Sequence, residues 1–401
     1  MLKFRRNALF FLTGSFFVGF GLGTYWVLFN LYMKERGFGE EVIGRVLMSG
    51  ATGTFVMALP AAMIVSRFPT RLVMILAAVT AACGYGLMIC PVPLPFIMLG
   101  AALASAAFSA HNIAAAPFFM RNSDPGERLD LFGTHSAIEV AAGVIGAAGG
   151  GYLVRFLEPH VGGIEVAYRM TLALASCLVL VAVIPYLGIR EEKHAAIVTD
   201  LVALLKRAQH GLMARLVLPK FITGLGAALI IPFLNLYFRD RFHLHPDRIG
   251  TIFAVSQALT VAAYVAGPHL ARRVGRIRAI AGTELLSIPF FVVMALTDRL
   301  EFAVAAFWMR GALMNMNQPI SGAFAMEMVR PEEQPLTNAL VEFAWHGAWM
   351  ISTQVGGWLI EHHGYRLPMF ITVALYVIAS SLYLSFFHDA ERKLALRTAT
   401  A

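Results

Sequence analysis

Apolar residues fill this chain in long blocks, broken by short polar turns. Twelve blocks of roughly 20 mostly apolar residues, the length that carries a helix across a bilayer, run approximately over 8–33, 42–66, 72–92, 94–118, 131–156, 166–188, 213–238, 249–271, 277–297, 302–328, 336–360 and 367–387. The pattern predicts an all-α polytopic membrane protein with 12 transmembrane helices. Lys3, Arg5 and Arg6 precede the first block. Its apolar run exceeds the roughly 7–15 residues of a secretory leader, so it reads as a retained span. One break is longer than the rest. Residues 189–212 carry Arg190, Glu191, Glu192 and Lys193, then Ile197, Leu201, Leu204 and Leu205 at helical spacing beside Asp200, Lys206 and Arg207. This reads as a cytoplasmic connector with an amphipathic helix. It separates a first six-span bundle, 1–188, from a second, 213–401, which ends in a short cytoplasmic tail.

The two halves repeat one another at a nearly constant shift of 206 residues. Phe29-Asn30-Leu31-Tyr32 answers to Leu234-Asn235-Leu236-Tyr237, Ile43-Gly44 to Ile249-Gly250, and Arg67 to Arg273. Gly150-Gly151 answers to Gly356-Gly357, and, after a nine-residue difference in loop length, Ala167-Tyr168-Arg169 to Gly364-Tyr365-Arg366. A duplicated six-span unit predicts pseudo-symmetric bundles with a site between them that opens to either side in turn.

Composition agrees. Hydrophobic residues make up 58% and charged residues 14%, against roughly 45–50% and about 25% in soluble domains. A soluble enzyme, a disulfide scaffold and a disordered chain are excluded. The net charge of +8 points to nucleic acid only if the cations cluster on one face. They sort by loop instead: with both termini on one side, that side collects 21 of 32 cations. The positive-inside rule puts both termini in the cytoplasm, in a plasma or inner membrane. Cys83, Cys90 and Cys177 lie in apolar blocks without metal spacing. His243, His245 and Asp247 are weak grounds for a metal site, and none is expected.

The loops after spans 2 and 8 carry a more specific signal. Pro268-His269-Leu270-Ala271-Arg272-Arg273-Val274-Gly275-Arg276, and more weakly Ala62-Met63-Ile64-Val65-Ser66-Arg67-Phe68-Pro69-Thr70, resemble the G-x-L-x-D-R-x-G-R loop of the major facilitator superfamily. Both copies lack the aspartate. Gly146-Ala147-Ala148-Gly149-Gly150-Gly151, preceded by Gly143, resembles the glycine-rich fifth span of the drug–proton antiporter branch, with Ala147 in place of its proline. The resemblance implies alternating access, with spans 1, 4, 7 and 10 around the cavity and spans 3, 6, 9 and 12 outside. It also implies a cytoplasmic gate, here carried by Arg67, Arg71, Arg272, Arg273, Gly275 and Arg276.

An ionisable group inside a bilayer is costly and needs a partner, a wet cavity or a task. Glu139 follows His135 by one turn, and His346 follows Glu342 by one turn, so each pair shares a helix face. These are the expected proton-coupling groups, since burial favours a neutral carboxyl and a nearby imidazole can relay its proton. The alternative is that they simply hold helices together. Arg310, Asn315, Asn317 and Gln318 in span 10, with His111 and Asn112 in span 4, Tyr25 and Trp26 in span 1 and Gln257 in span 8, are the expected substrate cavity. Glu284 and Glu327 are read as gate or anchor groups that pair with nearby arginines.

No P-loop, G-x-S-x-G, H-E-x-x-H or dinucleotide motif is present, so no enzyme and no cofactor is expected. The reading is a monomeric secondary transporter in a lipid bilayer, moving a small polar or amphipathic solute with protons. Facilitative or symport nutrient uptake, and a sensor or receptor that no longer transports, are the alternatives.

Overall fold

The computed structural model describes residues 4–124, 127–190, 210–330 and 333–388. Most of the expected connector thus lies outside the described residues, as does most of the C-terminal tail. Among the described residues the secondary structure is helical, without a strand. The first half holds α1 (Arg6–Glu35), α2 (Glu40–Arg67), α3 (Thr70–Ile89), α4 (Leu94–Arg121), α5 (Arg128–Leu157), α6 (Ile164–Val181) and the short α7 (Val183–Leu187) that prolongs it. The second holds α8 (His210–Ile230), α9 (Leu234–Phe242), α10 (Pro246–Val274), α11 (Arg276–Leu296), α12 (Leu300–Met316), α13 (Gln318–Met328), α14 (Gln334–His363) and α15 (Arg366–Phe387).

Among the described residues nine helical stretches are long and apolar enough to span a membrane, and a tenth is α2, bent by 49° where Pro60 interrupts it. The other two expected spans are present as helices of different character. The block at 302–328 is broken into α12 and α13 at Asn317, with Pro319 in the first turn of the second piece. The block at 336–360 becomes the 30-residue α14, which carries Glu342 and His346. The break at Asn317 puts polar groups near the middle of a span, where discontinuous helices in transport proteins place their sites; α14 is continuous and carries its polar pair within the helix.

The residues group into two compact units, one within Met1–Thr199 together with Pro232–Gln257, the other within Asp200–Ile231 and Ala258–Ala401. In the first, α1 packs against α5 and α6, and α3 against α4 and α6; in the second, α8 packs against α14 and α15, and α11 against α12 and α15. The same pairings recur in the same order, which is the structural counterpart of the sequence repeat. Phe11, Phe118, Phe119 and Tyr186 centre one core, while Ile280, Phe324 and Phe387 centre the other. Large apolar side chains face outward, with Phe156, Ile184 and Val265 each about two-thirds exposed. Lipid, unlike water, makes such exposure cheap.

Candidate functional site

The break at Asn317 opens the second unit. Asn317 and Gln318 line a cavity of about 200 Å³, whose other walls include Lys220 and Thr223 of α8, Glu284 of α11, Glu342 and Trp345 of α14, and Tyr383 of α15. Lys220 Nζ donates to Gln318 Oε1 at 3.0 Å and sits 4.7 Å from the centre of the Trp345 ring. An ammonium over a desolvated indole is worth about 2 kcal/mol, and its bond to the amide adds to that. Glu284, only 5% exposed, accepts from Thr223 Oγ1 at 2.8 Å and Ser380 Oγ at 2.9 Å. Lys220 and both carboxylates interact electrostatically. Yet no carboxylate oxygen among the described residues lies within 4.0 Å of the ammonium.

The expected residues fall in several places. Asn317 and Gln318 line the cavity, as do Glu284 and Glu342. Glu342 lies 3.7 Å from His346 Nε2, with its side chain 56% exposed. Arg310 does not line this cavity. It is buried, its guanidinium 4.9 Å over the Phe291 ring and beside Tyr376. Asn315 Nδ2 donates to the Gly311 carbonyl at 2.9 Å and to Thr260 Oγ1 at 3.3 Å.

The first unit holds a second polar cluster. Buried His111 Nε2 and the Tyr186 hydroxyl share a hydrogen bond of 2.8 Å. His135 packs edge-on to Phe119 and lies 3.6 Å from Glu139 Oε1. Asn112, Trp26 and Gln257 are exposed, whereas the Tyr25 hydroxyl is buried against Ser176 Oγ at 2.8 Å and the Tyr85 carbonyl at 2.9 Å. Tyr25 therefore ties α1 to α3 and α6.

At the ends of the spans, Arg276 pairs with Glu327, and Gly275 adopts φ +93°, which favours glycine as the chain turns into α11. Arg272 and Arg273 are exposed, as are Arg67 and Arg71 on either side of the α2–α3 turn. Arg121, which the loop pattern does not single out, donates to Thr70 Oγ1 at 2.8 Å. Among the glycines, Gly146 meets the Phe20 carbonyl of α1 so closely that a Cβ would stand 2.3 Å from that oxygen.

Sequence reasoning missed Lys220 because it lies near the start of its span and counts there as a topology charge. One signal was available. At the 206-residue shift Lys220 corresponds to Gly14, and at the shorter shift of the final spans Tyr383 corresponds to Tyr186. In the first unit a Cβ on Gly14 would lie 2.1 Å from the Tyr186 ring, so the tyrosine occupies that space. In the second unit a lysine stands there and a cavity remains.

A duplicated bundle of long apolar helices with a polar cavity inside one half defines a multi-pass membrane protein. The Major Facilitator Superfamily model matches residues 11–206 and 216–400, and the chain belongs to that family. It is 25% identical over 175 residues to a Na(+), Li(+), K(+)/H(+) antiporter of Planococcus maritimus. That match covers 42% of this chain and 40% of the antiporter, so the chain spans less than half the length of that relative. The fold resembles the nucleoside transporter NupG (D323A mutant), with TM-score 0.79, 15% identity and coverage of 95% and 99%. It also resembles a bacterial homologue of the lysosomal transporter Spinster, with TM-score 0.78, 14% identity and 98% of each chain covered.

Proposed function

We propose that the chain is a secondary transporter that moves a small polar solute by alternating access, coupled to protons. The observation that carries this reading is the cavity of the second unit, where one lysine and two carboxylates are held inside an apolar helical bundle. Desolvating Lys220 and Glu284 costs several kcal/mol per ion, a cost expected of a site that works on charge. Family membership and the antiporter relative support the same reading.

Proton coupling is assigned to Glu139 with His135 and to Glu342 with His346. Each carboxylate stands one helical turn from an imidazole, at 3.6 and 3.7 Å. That is beyond a hydrogen bond and near enough for each to feel the other's charge. The proposed setting is a cytoplasmic membrane, with both termini inside, two six-helix halves joined by a cytoplasmic connector, and the monomer as working unit. Arg67, Arg71, Arg272, Arg273 and the Arg276–Glu327 pair are assigned to the cytoplasmic gate.

Purified protein in proteoliposomes with an entrapped pH-sensitive dye tests this reading. A panel of small solutes is added across an imposed pH gradient, and saturable, protein-dependent proton movement is expected with at least one. E139Q and E342Q, separately and together, are expected to abolish it. Unchanged coupling in the double variant would remove these residues from the mechanism, and solute binding without flux would favour a sensor.

A further inference from the structure

The cavity of the second unit also narrows the solute, an inference that rests on the transport reading above. Its unspent bonding capacity is bipolar. An ammonium carries three donors, and Lys220 uses one on Gln318 and rests its charge on the Trp345 face. The remaining hydrogens have no protein acceptor among the described residues. Asn317, only 8% exposed, lines the same cavity, and its side chain makes no hydrogen bond among the described residues. On the acidic side, Glu284 is engaged by Thr223 and Ser380. Glu342 is not: His346 is its sole described ion-pair partner, at 3.7 Å, and Glu342 lines the cavity.

We infer that the cavity binds a small zwitterion of α-amino-acid size. Its carboxylate is taken by Lys220 and the Asn317 amide, and its ammonium by Glu342. A lone cation answers Glu342 but leaves the open Lys220 donors and the Asn317 amide unanswered, and a lone anion leaves Glu342 unanswered and meets the like charge of both carboxylates. A zwitterion answers both open groups at once and leaves the net charge of the cavity unchanged. The volume of about 200 Å³ lies below the roughly 300–1,000 Å³ of pockets for drug-sized ligands. Leu216, Ile280, Met314 and Ala325 of the lining suit an apolar side chain.

The test uses the full chain in lipid nanodiscs with two matched sets of probes. One set is L-leucine, 3-methylbutylamine and 4-methylpentanoate; the other is L-phenylalanine, phenethylamine and 3-phenylpropanoate. Binding is read by quenching of tryptophan fluorescence and by the shift in Tm. At least one amino acid is expected to bind tenfold or more tighter than both of its single-charge counterparts. K220M is expected to erase its advantage over the amine, E342Q its advantage over the carboxylate, and K220R to retain part of it. Should K220M fail to fold, N317L, which keeps the lysine, is expected to weaken the amino acid at least fivefold, and the half-exposed E342Q tests the other pole. Amine binding as tight as that of the amino acid and surviving K220M would make Lys220 an internal counter-ion and overturn the inference. So would carboxylate binding as tight as the amino acid, or no binding by any probe. Saturable proton-coupled flux of some other solute, with no amino-acid binding, sinks this inference and leaves transport standing. Amino-acid binding without flux does the reverse.

Discussion

Asn30 and Asn235 exchange equivalent bonds. Asn30 Nδ2 donates to the carbonyl of Pro232 and Asn235 Nδ2 to that of Val27, each at 2.7 Å. Each carbonyl belongs to the residue three positions before the other asparagine. The two side chains are themselves 3.4 Å apart, both are buried, and they occupy corresponding positions of the repeat. The bonds join α1 to the Pro232–Gln257 segment that groups with the first unit. Nearby, Arg239 pairs with Glu35, and Arg155 with Asp247 at 2.9 Å. N30A and N235A are each expected to cost about 0.6–1.7 kcal/mol, the range for bonds between membrane helices. The double variant should cost less than the sum, since the carbonyls share one packed site. Thermal denaturation in a fixed detergent measures this, and full additivity would mean that the two bonds are independent.

Gly14 makes room for Tyr186, whose ring lies 2.1 Å from the place of a Cβ. Both G14A and G14L are therefore overpacking changes, expected to destabilise by about 1–3 kcal/mol, with the larger residue worse. Pairing G14A with Y186A should recover part of the loss. Melting temperatures of the three variants decide it, and a G14A melting curve like the wild type would show that the tyrosine moves freely.

Gly146 meets the Phe20 carbonyl of α1 across the α1–α5 contact, a backbone contact that cannot swing away as a side chain can. G146V is expected to separate α1 from α5 and lower thermal stability, whereas G149A, on an open face with no atom within 4 Å of its Cβ position, should be nearly neutral. Equal effects at the two positions would count against close packing as the reason for this glycine.

Arg310 is packed over Phe291 and stands outside the cavity lining. R310A is expected to lower stability by more than 1 kcal/mol through lost packing and charge stacking, while the affinity for any cavity ligand changes less than threefold. A large loss of affinity in a well-folded R310A protein would restore it to the substrate site.

The Arg276–Glu327 pair joins the start of α11 to the end of α13, and both side chains are about 40% exposed. As a stabilising contact it is worth about 0–1 kcal/mol, so R276A should melt close to the wild type. An effect on transport rate several times larger than the effect on stability is expected if the pair serves the gate. Restoration by the swapped pair R276E with E327R, measured as initial uptake rate, checks it.

The amino-acid sequence determined the helical class, the twelve-block plan, the duplication and the membrane setting, because each follows from the period and length of apolar runs, which a bilayer enforces locally. It also brought Asn317, Gln318 and Glu342 forward, since polar groups in apolar runs are conspicuous. It read Glu284 as a gate or anchor group paired with arginines, where the structure puts it in the cavity lining. Lys220 escaped because a cation near a span end is ordinary. Tyr186 escaped because a tyrosine in a core is ordinary too. Only tertiary structure decided that Lys220 meets Gln318 and Trp345, that Glu284 is tied up by Thr223 and Ser380, and that Arg310 turns to Phe291. These outcomes depend on which helix faces meet across gaps of nineteen to a hundred and twenty-five residues, and no local spacing carries that information.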